Sequence, residues 1–238
     1  MLAEATPPPI EKSKRARSAK DKEQKRELIL MTAGQLFDAE PDVLPTAAAI
    51  ATQSGIAKGT VYLYFKSKEE IFLALLEQHF RNWYADITQA IVSEKPDADQ
   101  IINAICHYIE QQPQFFRLAS LSHSVIEQNV DIKILMGYKN RMAQMVKTTA
   151  QELAAKLGID DHETCSQLLV RSYAMLLGIW QISTPPEKVE RILSAPSLKV
   201  LKPEFSEESQ LSLGQLWCGY LEQTTAKNGF WKLGKLFN

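Results

Sequence analysis

The residues best suited to chemistry in this 238-residue chain lie together between Thr46 and Lys68. The segment reads TAAAIATQSGIAKGTVYLYFKSK, with Lys58, Gly59 and Thr60 in succession, then Tyr62 and Tyr64, then Lys66 and Lys68. A lysine ammonium reaches a phosphate or the acceptor edge of guanine. A threonine offers a hydroxyl and a methyl, and phenolic hydroxyls hydrogen-bond phosphate oxygens. A glycine among them lets a backbone come close to a groove. That is the chemistry of reading a duplex, not of breaking bonds. The chain has no Gly-rich phosphate loop, no HExxH and no Gly-x-Ser-x-Gly. Its four histidines are dispersed, and Cys106 and His107, being adjacent, point to different faces of a helix. No catalytic residue, metal ligand or cofactor is therefore assigned, and an enzyme is not expected.

The elements that must hold these side chains can be read from the same stretch. A helix from Thr46 to about Gln53, a break at Ser54-Gly55 and a second helix from Ala57 to about Tyr64 make a helix-turn-helix. Ala51 is small where the helices cross, Gly55 allows the positive φ of the turn, and Ile50, Ile56 and Val61 are the apolar positions that lock the pair. Upstream, Ile29, Ala33, Leu36 and Phe37 recur at helical spacing until Pro41 and Pro45 stop the pattern. Downstream, Ser67 with Glu70 three residues on predicts a capping box opening a long helix towards Val92. Further helices are expected at about 97–111, 113–125, 129–157, 161–183 and 206–226, with a proline-rich loop at 184–205 holding at most one helical turn. No segment sustains period-two alternation, so the fold class is all-α: a three-helix domain with the helix-turn-helix, followed by a larger helical domain.

Composition sets the outer bounds. The totals of 27 Lys+Arg and 28 Asp+Glu are nearly balanced. By position, 11 basic residues face 8 acidic ones up to Lys68, and 16 face 20 beyond it. Residues 1–21 combine Pro7-Pro8-Pro9 with a Lys/Arg/Ser run and read as a basic, disordered arm able to add salt-dependent affinity for phosphates. The domain plan is completed by residues 22–68 for DNA binding, 69–226 for the helical body and 227–238 as a tail. Three separated cysteines and no secretory core favour reduced thiols in a cytoplasm, and no apolar run reaches membrane-spanning length.

From Ile29 to Phe72 the residues Ile29, Ala33, Leu36-Phe37, Thr46, Ile50-Ala51, Gly55-Ile56, Lys58 to Tyr62, Tyr64-Phe65, Lys68-Glu69 and Ile71 closely resemble the DNA-binding domain of TetR-type transcriptional regulators. Two departures stand out: Pro41-Asp42 where a glycine and an aromatic residue are usual, and Ala57 where serine is commoner. On this resemblance the DNA-contacting residues are Lys58, Gly59, Thr60, Tyr62, Tyr64 and Lys68, with Thr46 at the start of the supporting helix. The resemblance further implies a cytoplasmic homodimer on a palindromic double-stranded operator, released by a small-molecule effector bound in the helical body. An architectural or protein-partner module of the same fold, without an effector, is the competing reading.

Polar or polarisable residues within otherwise apolar helices are the candidates for an effector pocket: His79, Trp83, His107, Tyr108, Arg117, His123, Arg141, Met142, Met145 and Arg171. Each has an ordinary alternative as a surface residue or a satisfied core group. The stripe Leu168, Leu169, Ser172, Tyr173, Leu176, Leu177 and Trp180, with Leu213, Leu216, Trp217, Tyr220 and Leu221 on the last helix, suits either a four-helix dimer interface or the subunit's own core.

Overall fold

The computed structural model describes residues 10–40, 43–91, 96–158 and 161–230. They form ten α-helices and no strand, joined by short π- and 3₁₀-helical turns. The chain divides into two compact units, Met1–Leu75 and Leu76–Asn238. The division falls inside a helix, two turns beyond the boundary expected after Lys68.

The first unit contains α1 (Ile10–Ala39), α2 (Ala47–Ser54), α3 (Lys58–Tyr64) and the start of α4 (Lys68–Ala90). Its core is built from Ile29, Leu30, Ala33 and Phe37 of α1, Ile50 and Ala51 of α2, Val61 of α3 and Phe65, Ile71 and Phe72 around the start of α4. The Phe37 and Phe72 rings lie 5.8 Å apart and tie α1 to α4. The arm expected to be disordered through residue 21 is instead helical from Ile10. Between Ile10 and Gly34 the chain has neither glycine nor proline and is rich in Lys, Arg, Ala, Glu and Gln, all good helix formers. Residues 19–25 are nonetheless exposed, as their lack of apolar side chains requires. The Pro41-Asp42 departure lies outside the described residues.

The second unit continues α4 and adds α5 (Ala98–Gln111), α6 (Pro113–Ser120), α7 (Ile132–Leu157), α8 (His162–Ser183), α9 (Glu187–Leu193) and α10 (Phe205–Phe230). α7 packs on α8, and α10 packs on both α5 and α8. Two buried indoles show how this core satisfies its polar atoms. Trp83 Nε1 donates to the Ile105 carbonyl at 2.9 Å. Trp217 Nε1 donates to Ser172 Oγ at 3.1 Å, and that hydroxyl donates to the Leu168 carbonyl at 2.8 Å. A buried N–H without such a partner would cost about 1–3 kcal/mol.

Those bonds also decide the use of the α8 stripe. Leu168, Leu169, Ser172, Leu176, Leu213 and Trp217 are all buried within one subunit. These six of the residues picked out thus close the subunit's own core, while Tyr173, Leu177, Trp180, Leu216 and Tyr220 of the same stripe are half-buried.

Two further differences concern helix ends. The segment expected as a helix to residue 125 leaves α-geometry at Ser120 and passes through a π-turn, Ser122–Ile126, and a 3₁₀ turn, Glu127–Asn129. The proline-rich connection holds α9 and a 3₁₀ segment, Pro196–Leu201, rather than a single turn. Among the described residues no helix is long and apolar enough to cross a membrane. Nor does any group of three or more His, Cys, Asp or Glu among them come together as metal ligands.

Candidate DNA interface and a cavity in the second unit

The helix-turn-helix is fixed by its own backbone chemistry. Thr46 caps α2, its hydroxyl accepting from the Ala49 amide at 3.1 Å. At the other end Gly55 adopts φ +67°, and the amides of Gly55 and Ile56 donate to the carbonyls of Thr52 and Ala51 at 3.3 and 3.1 Å. This pair of bonds is a Schellman closure, which needs a residue tolerant of the left-handed region at Gly55. α3 then starts at Lys58 with Ala57 as N-cap, and no side chain caps its free amides. The opening of α4 departs slightly from the expected box. Ser67 Oγ accepts from the Glu70 amide at 3.2 Å, but the Glu70 carboxylate takes the amide of Lys66, at 2.8 Å, rather than that of Ser67.

Val61 and Phe65 face the core, so the remaining sides of α3 are turned out. Lys58 and Gly59 are exposed, Thr60 is half-buried, and Tyr62 is 45% exposed with the Lys58 ammonium 6.0 Å from its ring centre. A Cβ placed on Gly59 would meet nothing within 4 Å, so no internal contact demands a glycine there. Tyr64 is half-buried. Lys68 is also half-buried and donates to the Leu44 carbonyl at 3.4 Å, holding the approach to α2. Thr46 is exposed but engaged as a cap. Lys58, Gly59 and Tyr62 thus share one open face, while Thr46 and Lys68 are tied to the scaffold beside it. Leu63, 84% exposed, belongs to that face and was not picked out from the sequence. The signal for it was its place one helical turn beyond Gly59.

A cavity of about 320 Å³ lies in the second unit, between α4, the turns after α6, α7 and α8. Phe80, Tyr84, Tyr138, Met142, Val146, Val170 and Tyr173 make its apolar walls, and Ser122, His123, Glu127 and Lys139 its polar edge. Glu127 accepts from Ser122 Oγ at 2.8 Å, Lys139 Nζ at 2.7 Å and His123 Nδ1 at 3.2 Å. Burial alone would raise its carboxyl, but these donors and the charges of Lys139 and His123 hold it below the ordinary carboxylate range. A second charged link joins α4 to α7, where the Arg141 guanidinium grips both oxygens of Glu77 at 2.7 Å.

Comparison with known proteins places this architecture. Residues 45–75 match the family model described as bacterial regulatory proteins of the tetR family. Residues 77–224 match the tetracyclin repressor-like C-terminal domain. The chain belongs to the TetR family. It is a DNA-binding transcriptional regulator and not an enzyme. The fatty acid metabolism regulator protein of Bacillus subtilis is 25% identical over 139 residues, covering 53% of this chain and 72% of that one. The uncharacterized regulator YhgD of the same organism is 22% identical over 187 residues, covering 75% of this chain and 95% of its own. A crystal structure of a TetR-family regulator from Streptomyces coelicolor superposes with a TM-score of 0.54 at 16% identity, covering 81% of this chain and 96% of that one.

The tetR match spans the whole exposed face of α3 and the caps that hold it. In the C-terminal TetR domain, two of the ten pocket candidates, His123 and Met142, line the cavity. Trp83 is buried with its indole satisfied. Tyr108 gives its hydroxyl to the buried His79 at 2.9 Å. His107 is exposed and paired with Asp86 at 2.8 Å. Arg141 is held by Glu77, and the exposed Arg171 reaches Gln167 at 3.3 Å. Arg117 and Met145 are half-buried on α6 and α7, outside the cavity lining. The tyrosines and Phe80 that form the walls read in sequence as ordinary core residues. Of the cysteines, Cys106 and Cys165 are buried, and burial pushes their thiols up to about 12 and about 11.

Proposed function

We propose that this regulator is a cytoplasmic homodimeric repressor that holds a palindromic operator and releases it when a small molecule enters the second-unit cavity. The observation that carries the DNA half is the open face of α3, where Lys58, Gly59 and Tyr62 stand clear of the core beside the half-buried Thr60, on a helix braced by the Gly55 closure. Such a helix enters the major groove by its first turn, and its uncapped amides and Lys58 meet phosphate and base edges there. Tyr64 adds a phenol and Thr46 a cap at the flank, with Lys68 bracing the loop behind them. A single reading head of this size covers one half-site, so a two-fold partner placing a second head about 34–36 Å away is the economical assembly. Exposed Val170, Ala174, Gly178 and Ile182 on α8, and Leu211, Gln215 and Cys218 on α10, are the surfaces left for it.

The effector half rests on the cavity, whose size falls at the lower end of small-molecule sites. A ligand acts by preferring one arrangement of the two heads over another, with α4, which starts beside α3 and supplies Phe80 and Tyr84 to the cavity wall, as the connecting element.

Mapping the bound DNA across a genome, followed by titration of the recovered site, tests the reading. The expected site is an inverted repeat. Lys58→Ala is expected to weaken binding at every sequence and to lower the salt slope by about 1. Tyr64→Phe should weaken binding with the fold intact. Wild-type affinity in both variants would remove α3 from its role.

A further inference from the structure

The cavity of the second unit is walled by aromatic rings and edged by a half-buried carboxylate. The Phe80 and Tyr173 rings meet edge to face at 5.1 Å, and Phe80 and Tyr84 stack at 6.3 Å. Tyr138 closes the α7 side. Phe80, Tyr84 and Tyr138 are buried. The charges at the edge are graded by depth. The Glu127 side chain is 12% exposed, whereas Lys139 is 46% and His123 79% exposed. The carboxylate therefore lies inward and its cations lie towards solvent. The tyrosines register the same field: burial and then the Glu127 charge push the Tyr173 hydroxyl up, and Tyr138 follows through burial, Tyr173, Glu127 and Glu77.

Aromatic faces carry negative potential and attract a cation held above them, most strongly where water is excluded. An anion brought to the same depth would meet the ring faces and the Glu127 carboxylate, with the Lys139 and His123 charges lying farther towards solvent. We propose that the cavity binds a lipophilic organic monocation, a quaternary or protonated amine with a compact apolar body. Its charge lies among the rings of Phe80, Tyr84, Tyr138 and Tyr173, opposite Glu127. This rests on the ligand-responsive reading given above and specifies its ligand. Met142, Val146 and Val170 receive the apolar body, and Lys139 swings outward as the incoming cation takes its place on Glu127.

Three probes with one chain length and different heads decide it: decyltrimethylammonium, 1-decanol and decanoate, each titrated calorimetrically below its micellar range into the full chain. The cation is expected to bind at least ten-fold tighter than the alcohol, with decanoate weakest. Glu127→Gln should cost the cation at least ten-fold and leave the alcohol unchanged. Should that variant fail to fold, Tyr173→Leu decides, by lowering affinity for the cation several-fold more than for the alcohol. Decanoate binding as tightly as the cation, or unaltered cation affinity in the folded Glu127→Gln variant, overturns the proposal. Release of operator DNA is measured in parallel with the same probes. Release by decanoate alone leaves the ligand-responsive reading standing and this inference refuted. Glu127-dependent cation binding without release supports the site and refutes the release mechanism. Absence of binding by all three, with operator still held, refutes the cavity as a site for this class.

Discussion

At Gly59 the proposed DNA contact can be separated from folding. This glycine sits in the first turn of a helix, a Cβ there would touch nothing within 4 Å, and alanine is the better helix former by up to about 1 kcal/mol. Gly59→Ala is therefore expected to keep or slightly raise Tm. If the backbone of α3 lies against the groove, the added methyl stands in the way, and operator affinity measured by fluorescence anisotropy should fall about ten-fold. Unchanged affinity would detach Gly59 from the interface. At Glu127 the same separation can be made with pH. The ordinary glutamate value is 4.5, and against the upward pull of burial Lys139, Ser122 and His123 hold this carboxyl lower in the folded chain. A depressed folded value means that the contribution is present above the unfolded value and lost as pH falls through the folded one. Wild type should thus be more stable than Glu127→Gln at neutral pH. The Tm gap should close as the pH drops below 4.5, and a gap that stays constant through that range would contradict the assignment.

Between helices, the clearest single tie is Arg141 of α7 on Glu77 of α4. Gly137, one turn before Arg141, leaves room for it, since a Cβ there would come within 3.2 Å of the guanidinium. Arg141→Leu keeps much of the aliphatic packing and leaves the largely buried Glu77 with only Arg81, 3.3 Å away. The Arg141 side chain is itself more than half exposed, so the loss is expected to be modest, about 1–2 kcal/mol, or a Tm lower by roughly 2–6 °C. Arg141→Lys should recover part of it, because a point charge cannot form the two-pronged grip. Helix boundaries such as Thr46, Gly55 and Ser67 were legible in the sequence because capping and turn chemistry is local. Leu168 and Trp217 were legible as apolar, but whether they meet their own subunit or another is a long-range fact, settled by the Trp217 to Ser172 bond. The cavity was the least legible part. Phe80, Tyr138 and Tyr173 come from three helices, and nothing in their sequence neighbourhoods marks them as walls of one space. The basic start of α1 misled for a related reason: lack of apolar residues argues against burial, not against helix formation, and good helix formers fill it.

For the whole molecule, the near-neutral sum of charges conceals a basic reading head and an acidic body, and on the proposed operator one head would address half of an inverted repeat. The proposed pairing would then use surfaces still open on the second unit. On α8 the buried residues Leu168, Leu169, Ser172 and Leu176 leave Val170, Arg171, Ala174, Gly178 and Ile182 outside. Small residues on such a face allow helices of two subunits to approach closely, and a Cβ at Gly178 meets nothing within the subunit. Gly178→Glu is thus expected to leave helicity and subunit folding intact while driving a charge into any two-fold contact made by α8. Light scattering should then report the mass of one chain, 26.8 kDa, where wild type reports twice that. Affinity for an isolated half-site should be unchanged, while affinity for the full repeat should drop by at least ten-fold as the second head is lost. A Gly178→Glu protein that remains dimeric would move the interface off this face of α8.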